Sequence, residues 1–218
     1  MDLFIIGDVH GCLHTFRRLL DHWDPEKEQL IQLGDIIDRG NFSAETFRFC
    51  NLLKEKYPST VLLKGNHEAA CLGYIDDPFI DHWLDWGGRK TVQSFERVGL
   101  PLKTVKEDFK KLPLYWENEH VFVSHAGIGP GTADPFDEKN SQGILWYRGP
   151  LKNIGKLQVI GHTPLHAGPL YDEESKSWNI DTGACYGRKL TGIKLTREGK
   201  LIEHFSVETV QEDIDWAI

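Results

Sequence analysis

Six residues of ligand type, Asp8, His10, Asp35, Asn66, His125 and His162, each stand just past a short apolar run. Carboxylates, imidazoles and a carboxamide, with no cysteine among them, suit Mn, Fe or Zn, with Mg also admitted, better than Ca or a closed structural Zn site. Asp8 and His10 are two apart, so in an extended segment they project to one side and can share an ion. Asp35 can reach two ions, and Asn66, His125 and His162 would complete the second. Two divalent ions about 3.5–4 Å apart can share a hydroxide, make it nucleophilic near neutral pH and clamp phosphoryl oxygens for in-line attack. Phosphoester hydrolysis is the reaction this donor set predicts. The leaving alkoxide needs a proton, and His67, directly after Asn66, is assigned as the general acid. Asp38, three residues past Asp35, is placed to orient the His67 imidazole. Arg39 beside it, and Arg148 in the segment LWYRG, are candidates for forked contacts to phosphate oxygens.

Those residues need elements that bring them together. The first third of the chain repeats one theme three times: LFIIGD (3–8), LIQLGD (30–35) and VLLKGN (61–66), each an apolar run, a glycine and a ligand type. Taken singly, a Gly-Asp after a strand is usually a turn, and only the joint pattern points to a metal site. Such runs are the signal for buried strands, and the segments between them carry helical spacing. Residues 14–22 place Phe16, Leu19 and Leu20 on one face. Residues 43–56 do the same with Phe47, Cys50 and Leu53, with Ser43 as candidate N-cap. The spacing from Asp8 to Asp35 and from Asp35 to Asn66 is that of β-α-β units of about 30 residues, which implies parallel strands. Ligands bind at the carboxyl ends of such strands, so the three loop starts should converge. Residues 67–118 turn mostly helical and are expected to form an insertion or cap. Further strands are expected at 121–124, 157–160, 177–180, 190–195 and 201–206, two of them ending in His125 and His162.

The motifs GDVHG (7–11), GDIIDRG (34–40), GNHE (65–68), HAG (125–127) and GHT (161–163), in this order, resemble the phosphoprotein phosphatase branch of the calcineurin-like metallophosphoesterases. HWLDWGG (82–88) and IDTGACYGRKLTGIKL (180–195) make the chain most similar to the small bacterial and phage serine/threonine phosphatases of that branch. The resemblance runs from about residue 3 to 205. It implies an α/β fold with a central β-sandwich of mixed sheets flanked by helices, and two divalent ions, Mn first. It also implies Asp38, Arg39, His67 and Arg148 as catalytic or phosphate-binding residues, with Asn66 and Lys64 counted among the phosphate contacts. Lys64 stands where the family often has Arg, and an ammonium offers a point charge where a guanidinium offers a planar fork. The activity implied is hydrolysis of phosphoserine, phosphothreonine or phosphotyrosine in proteins and of small aryl phosphates. The alternative is hydrolysis of dinucleoside polyphosphates such as diadenosine tetraphosphate, whose enzymes tend to carry GNHD where this chain has Glu68. A third class, a binding module that grips a phosphorylated partner without turnover, has no motivating lesion, since the acid, its partner and all six ligands are present.

Composition bounds the rest. The 218 residues allow one good-sized core, and a single domain over 1–218 is expected, with monomer as the default. A formal charge of −8 argues against duplex nucleic acid and anionic membrane surfaces as partners. Cys12, Cys50, Cys71 and Cys185 form no C-x-x-C pair, and MDLFIIGD has neither a basic region nor an apolar stretch long enough for a signal peptide, so a reduced, cytoplasmic protein is expected. The cysteines read as small buried hydrophobes. His14, His22, His82, His120, His166 and His204 lack motif context and are placed outside the site. Trp83 and Trp86, three apart, are read as core. The acidic run 172–174 is read as a solvated loop, and the tail VETVQEDIDWAI as a short helix or frayed end without function.

Overall fold

A computed structural model describes residues 1–215 and builds the chain on two five-stranded sheets. In the first, β1 (Asp2–Ile6), β2 (Glu28–Gln32) and β3 (Val61–Leu62) are parallel, as the β-α-β spacing requires. The crossovers between them carry α1 (Leu13–Leu20) and α2 (Ser43–Lys56). In the second sheet β4 (Tyr115–Glu117) pairs antiparallel with β5 (Val121–Ser124). That strand runs parallel to β6 (Leu157–Ile160), and β6 runs parallel to β8 (Ser177–Asn179), while β7 (Leu170–Asp172) closes the edge. The chain then returns to the first sheet as β9 (Lys189–Leu195), antiparallel to β1, and β10 (Leu201–Glu208).

Alternation along β1 explains the layering. Leu3 and Ile5 face the second sheet, in a core with Ile31, Leu33, Leu63, Val121, Val123, Val159 and Ile193. Phe4 and Ile6 face the other way, against Phe16 and Leu19 of α1 and Phe47, Cys50 and Leu53 of α2. The strand is apolar at four consecutive positions because both of its faces are covered. The mixed sandwich flanked by helices is therefore the architecture the sequence implied.

Residues 66–110 are largely helical, with α3 (Asn66–Asp76), α4 (Arg89–Arg97) and α5 (Lys106–Lys110), and a wide turn over Leu84–Gly88 leading into α4. Two expectations need correction. Ser43 is the first helical residue of α2 and not its cap; its hydroxyl accepts the Asp38 N–H at 3.0 Å and so serves the site loop. The tail forms a short helical turn over Gln211–Asp213, one of the two alternatives expected, and it is not idle, although residues 216–218 lie outside the described part. Asp213, fully buried, accepts His14 N–H at 2.9 Å, Thr15 N–H at 2.7 Å and the Thr15 hydroxyl at 2.6 Å, and so caps α1. No helix among the described residues is long and apolar enough to cross a membrane.

Candidate metal centre and its cleft

The carboxyl ends of β1, β2, β3, β5 and β6 meet at one place, where the two sheets present their strand ends together. Asp35 stands at the middle. Its Oδ2 lies 3.3 Å from His125 Nε2, 3.5 Å from His10 Nε2 and 3.9 Å from His67 Nε2, while its Oδ1 accepts the His67 N–H at 2.9 Å. Two groups suited to a cation share this carboxylate: His10, Asp35 and His67, and Asp35, His125 and His162. Asn66 joins the second, its Oδ1 lying 2.8 Å from His125 Nε2 and 2.9 Å from His162 Nδ1. Asp8 stands beside these groups. Its Oδ2 accepts the His162 N–H at 3.0 Å, and its Oδ1 is buried without a partner.

Burial of this much anionic and imidazole surface demands positive charge. His125 Nδ1 donates to Leu33 O at 3.0 Å, so its Nε2 is the atom turned to Asp35 and Asn66. Burial alone would lower this imidazole, but the carboxylates of Asp35 and Asp8 outweigh it and raise the group to about 9. Asp35 is held well below the usual carboxylate range: burial pushes it up, and His125, His67 and His10 overcome that push. His162 is depressed to about 2 by burial and by its positive neighbours His125 and Arg148, and Asp8 is driven up by burial and by Asp181. In the first group Arg39 supplies the charge. Its Nη1 donates to His10 Nε2 at 2.7 Å and its Nη2 to His67 Nε2 at 2.8 Å. One proton and one guanidinium thus stand where two cations are wanted. The orphaned Asp8 oxygen and the N/O donor set fit divalent ions such as Mn, Fe or Zn.

The backbone is bent to make this arrangement. Among the described residues six non-glycine positions have positive φ, and five are His10, Asp35, Asp38, Arg39 and His162. Glycine is required where the loops touch: a Cβ at Gly161 would stand 2.0 Å from Asp8 Oδ1, and one at Gly65 would stand 2.1 Å from Asp35 Oδ1. Glu68 holds the Asp35 turn from behind, accepting the N–H groups of Asp35, Ile36 and Gly65 at 2.8, 2.9 and 2.9 Å. Its side chain is fully buried, so the Glu-for-Asp difference weighed as a substrate marker acts through backbone support rather than by touching the cleft.

His67 Nδ1 donates to Asp38 Oδ2 at 2.6 Å, which leaves Nε2 facing the centre. Asp38 is itself fixed by the Trp83 indole N–H at 2.6 Å and by the Thr91 hydroxyl at 2.5 Å. Trp83 is core, as expected, yet its indole N–H also fixes the carboxylate that holds His67. Trp86 is not core: it is 39% exposed and walls an open cleft of about 310 Å³ with Trp146, Arg39, Arg148, Asn66, His67 and His162. Lys64 is absent from that lining. It is buried, and its ammonium pairs with Glu138 at 2.8 Å, which is where the structure puts the charge expected on phosphate.

Sequence reading passed over Asp181. It follows β8 in NIDTG, the same apolar-run-then-acid pattern as the other strand ends, and is almost wholly buried beside Asp8 and Asp35. Burial raises its carboxyl to about 6. Its signal lies within the IDTGACYGRKLTGIKL segment, where β8 supplies a sixth strand end.

Known proteins with related sequences point the same way. A 32% identical match covers 62% of this chain and 48% of a symmetrical bis(5'-nucleosyl)-tetraphosphatase from Aromatoleum aromaticum, so the chain spans about half the length of that relative. Serine/threonine-protein phosphatase 1 of Salmonella typhimurium is 28% identical over 87% of this chain and 89% of its own. Among solved structures, a protein serine/threonine phosphatase from Saccharomyces cerevisiae superimposes with a TM-score of 0.69 over 97% of this chain and 81% of that one, at 18% identity, a likeness of fold. The sequence pattern of calcineurin-like phosphoesterases extends over residues 1–193, which takes in every strand end that meets at the centre. With that pattern laid over a shared-carboxylate centre of this geometry, the chain belongs to the calcineurin-like phosphoesterase family and is a hydrolase of phosphate esters.

Proposed function

We propose that the enzyme is a phosphomonoesterase of phosphoserine and phosphothreonine in proteins, with phosphotyrosine and small aryl phosphates as further substrates. The observation that carries this reading is the open cleft, which Arg39, Arg148 and the Asp38-oriented His67 line together with the edge-to-face indole pair Trp86 and Trp146. At about 310 Å³ it is at the low end of ligand clefts, a size suited to a phosphate on a side-chain stem.

Asp8, His10 and Asp35 would hold one divalent ion, and Asp35, Asn66, His125 and His162 the other, with Mn the first expectation. Bound there, the ions supply the Lewis-acid charge that polarises a phosphate ester and acidifies water. The protein's own groups do the rest. A phosphate dianion is a stronger acceptor than an imidazole, so its oxygens draw the Arg39 fork away from His10 and His67, and Arg148 closes on it from the rim. His67 is thereby released to hold a proton at Nε2 and deliver it to the leaving oxygen, while Asp38, fixed by Trp83 and Thr91, keeps the ring in line. Trp86 and Trp146, with ring centroids 6.0 Å apart, shield the reacting phosphate from bulk water.

A second reading is hydrolysis of dinucleoside polyphosphates. It is favoured by the tetraphosphatase relative and by the two indoles, tilted at 67° to each other, on which an adenine could stack. Steady-state kinetics after metal reconstitution, on p-nitrophenyl phosphate, a phosphoserine peptide and diadenosine tetraphosphate, separate the two. Preference for the peptide supports the main reading and preference for the dinucleotide the second. No turnover of p-nitrophenyl phosphate overturns the phosphomonoesterase assignment.

A further inference from the structure

A second cavity lies apart from the cleft. It encloses about 540 Å³ beside β9 and β10, and is lined by His166, Thr182, Arg188, Lys189, His204 and Ser206 among others. Four of these six carry or can take positive charge, on a chain whose formal charge is −8. No carboxylate is among the described lining residues; next to them in sequence or contact, Glu208 pairs with Lys189 at 3.1 Å and Asp181 accepts the Gly183 N–H at 2.9 Å. The floor is stiff. Thr182, Thr191 and Ser206 form a chain of hydroxyl hydrogen bonds, each 2.7 Å long, and the Arg188 carbonyl accepts Thr209 N–H at 2.9 Å and its hydroxyl at 3.1 Å. The Arg188 guanidinium is left with a buried Nη1 that has no hydrogen-bond partner.

This cavity is joined to the cleft by one side chain. Tyr186 has the Arg39 guanidinium 5.5 Å from its ring centroid and the Arg188 guanidinium also at 5.5 Å. Arg39 belongs to the catalytic cleft, and Arg188 to the second cavity. A continuous Arg–Tyr–Arg row thus runs from the reacting phosphate to a basic pocket that the hydrolytic site does not use.

We propose that the cavity is a second phosphoryl-binding site for the same substrate, so that the enzyme prefers peptides carrying a further phosphoserine or phosphothreonine near the one it hydrolyses. This rests on the protein-phosphatase reading above. An extended peptide advances roughly 3.3–3.6 Å per residue, so the two 5.5 Å contacts bound the spacing at no more than about three residues. Arg188 and Lys189 make the charge-assisted contacts, with the Thr182 and Ser206 hydroxyls behind them.

The test uses the metal-loaded full chain, the variants Arg188→Ala and Lys189→Glu, and three substrates: p-nitrophenyl phosphate, a singly phosphorylated peptide, and the same peptide with a second phosphoserine three residues away. The wild type should show a kcat/KM about tenfold higher on the doubly phosphorylated peptide, the worth of one charge-assisted hydrogen bond. Both variants should lose that preference and keep wild-type rates on p-nitrophenyl phosphate. Equal kcat/KM on the two peptides in the wild type overturns the proposal, as does an equal loss on all three substrates. If neither peptide is hydrolysed, the protein-phosphatase reading alone falls, and a binding measurement decides on the site. Inorganic phosphate should shift the His166 and His204 ring resonances of the wild type and not those of Lys189→Glu, and unmoved resonances in the wild type overturn it.

Discussion

Replacing Asp213 by Ala removes the carboxylate that accepts the His14 and Thr15 amides and the Thr15 hydroxyl. Both amides lie in the first turn of α1, where Cys12 provides no side-chain cap. Two buried donors left without a partner cost about 1–3 kcal/mol each, and the lost attraction between an anion and a helix N-terminus adds about 0.3–1 kcal/mol. Water can reach the turn in part once the side chain is gone, so about 3–5 kcal/mol is the expected loss. For a chain of this size each kcal/mol moves the midpoint by about 2–4 °C, which puts the fall in Tm at about 6–20 °C. Asp213→Asn should recover little. An amide has one oxygen, and whichever way it turns, its NH2 group faces one of the two backbone donors. Circular-dichroism melting of the metal-free protein and both variants reads the effect. An Asn variant that melts within about 2 °C of the wild type would refute the reasoning, because it would mean that only one of the two amides needs the side chain. Activity should follow stability here, since Asn41 N–H donates to Asp213 O at 2.8 Å and so ties the Arg39 loop to the same tail.

His67→Asn should fold normally and lose about 10²–10⁴-fold in kcat on p-nitrophenyl phosphate, and unchanged turnover would remove His67 from the mechanism. Glu68→Gln places an NH2 group against one of three backbone donors behind Asp35, so metal content by elemental analysis should drop below that of the wild type; full occupancy would show that the turn stands without its carboxylate. His125, raised to about 9, keeps a proton that a cation must displace. Metal affinity should therefore rise about tenfold per pH unit between its ordinary 6.5 and 9, with a proton released on binding that calorimetry in two buffers detects; a pH-independent affinity excludes this. In the metal-free protein the same group stabilises the fold fully below 6.5 and loses that contribution as pH rises through 9.

Much of the centre was legible because strand ends announce themselves. Apolar runs closed by Gly and a ligand type are local patterns, and the spacing between them carries the parallel order, so Asp8, His10, Asp35, Asn66, His125 and His162 could be grouped before any coordinates. The edge strands β4 and β7 were missed because YWE and LYD are three residues long and mostly exposed, with no alternation to read. The supporting roles of Ser43, Glu68, Trp83 and Asp213 were not legible for another reason. Each works through a partner distant in sequence, and a hydroxyl or carboxylate that accepts a remote backbone N–H leaves no periodic trace. Trp83 and Trp86 show the limit: three apart in one segment, one is fully buried on Asp38 and the other forms a cleft wall. The wide turn that begins at Leu84, between the two indoles, departs from the α-helical period on which the spacing argument rested.

The left-handed backbone at His10, Asp35, Asp38, Arg39 and His162 sets a direction for how this chain can drift. Each such residue holds a conformation that a side chain resists by about 1–3 kcal/mol, and glycine would adopt it without that resistance. Selection for robustness alone would therefore favour erasing these side chains one at a time, and every step would remove a residue of the buried centre or its cleft. A descendant freed from its substrate should be recognisable by glycines at these five positions, and by a fold that withstands more heat than its working ancestor.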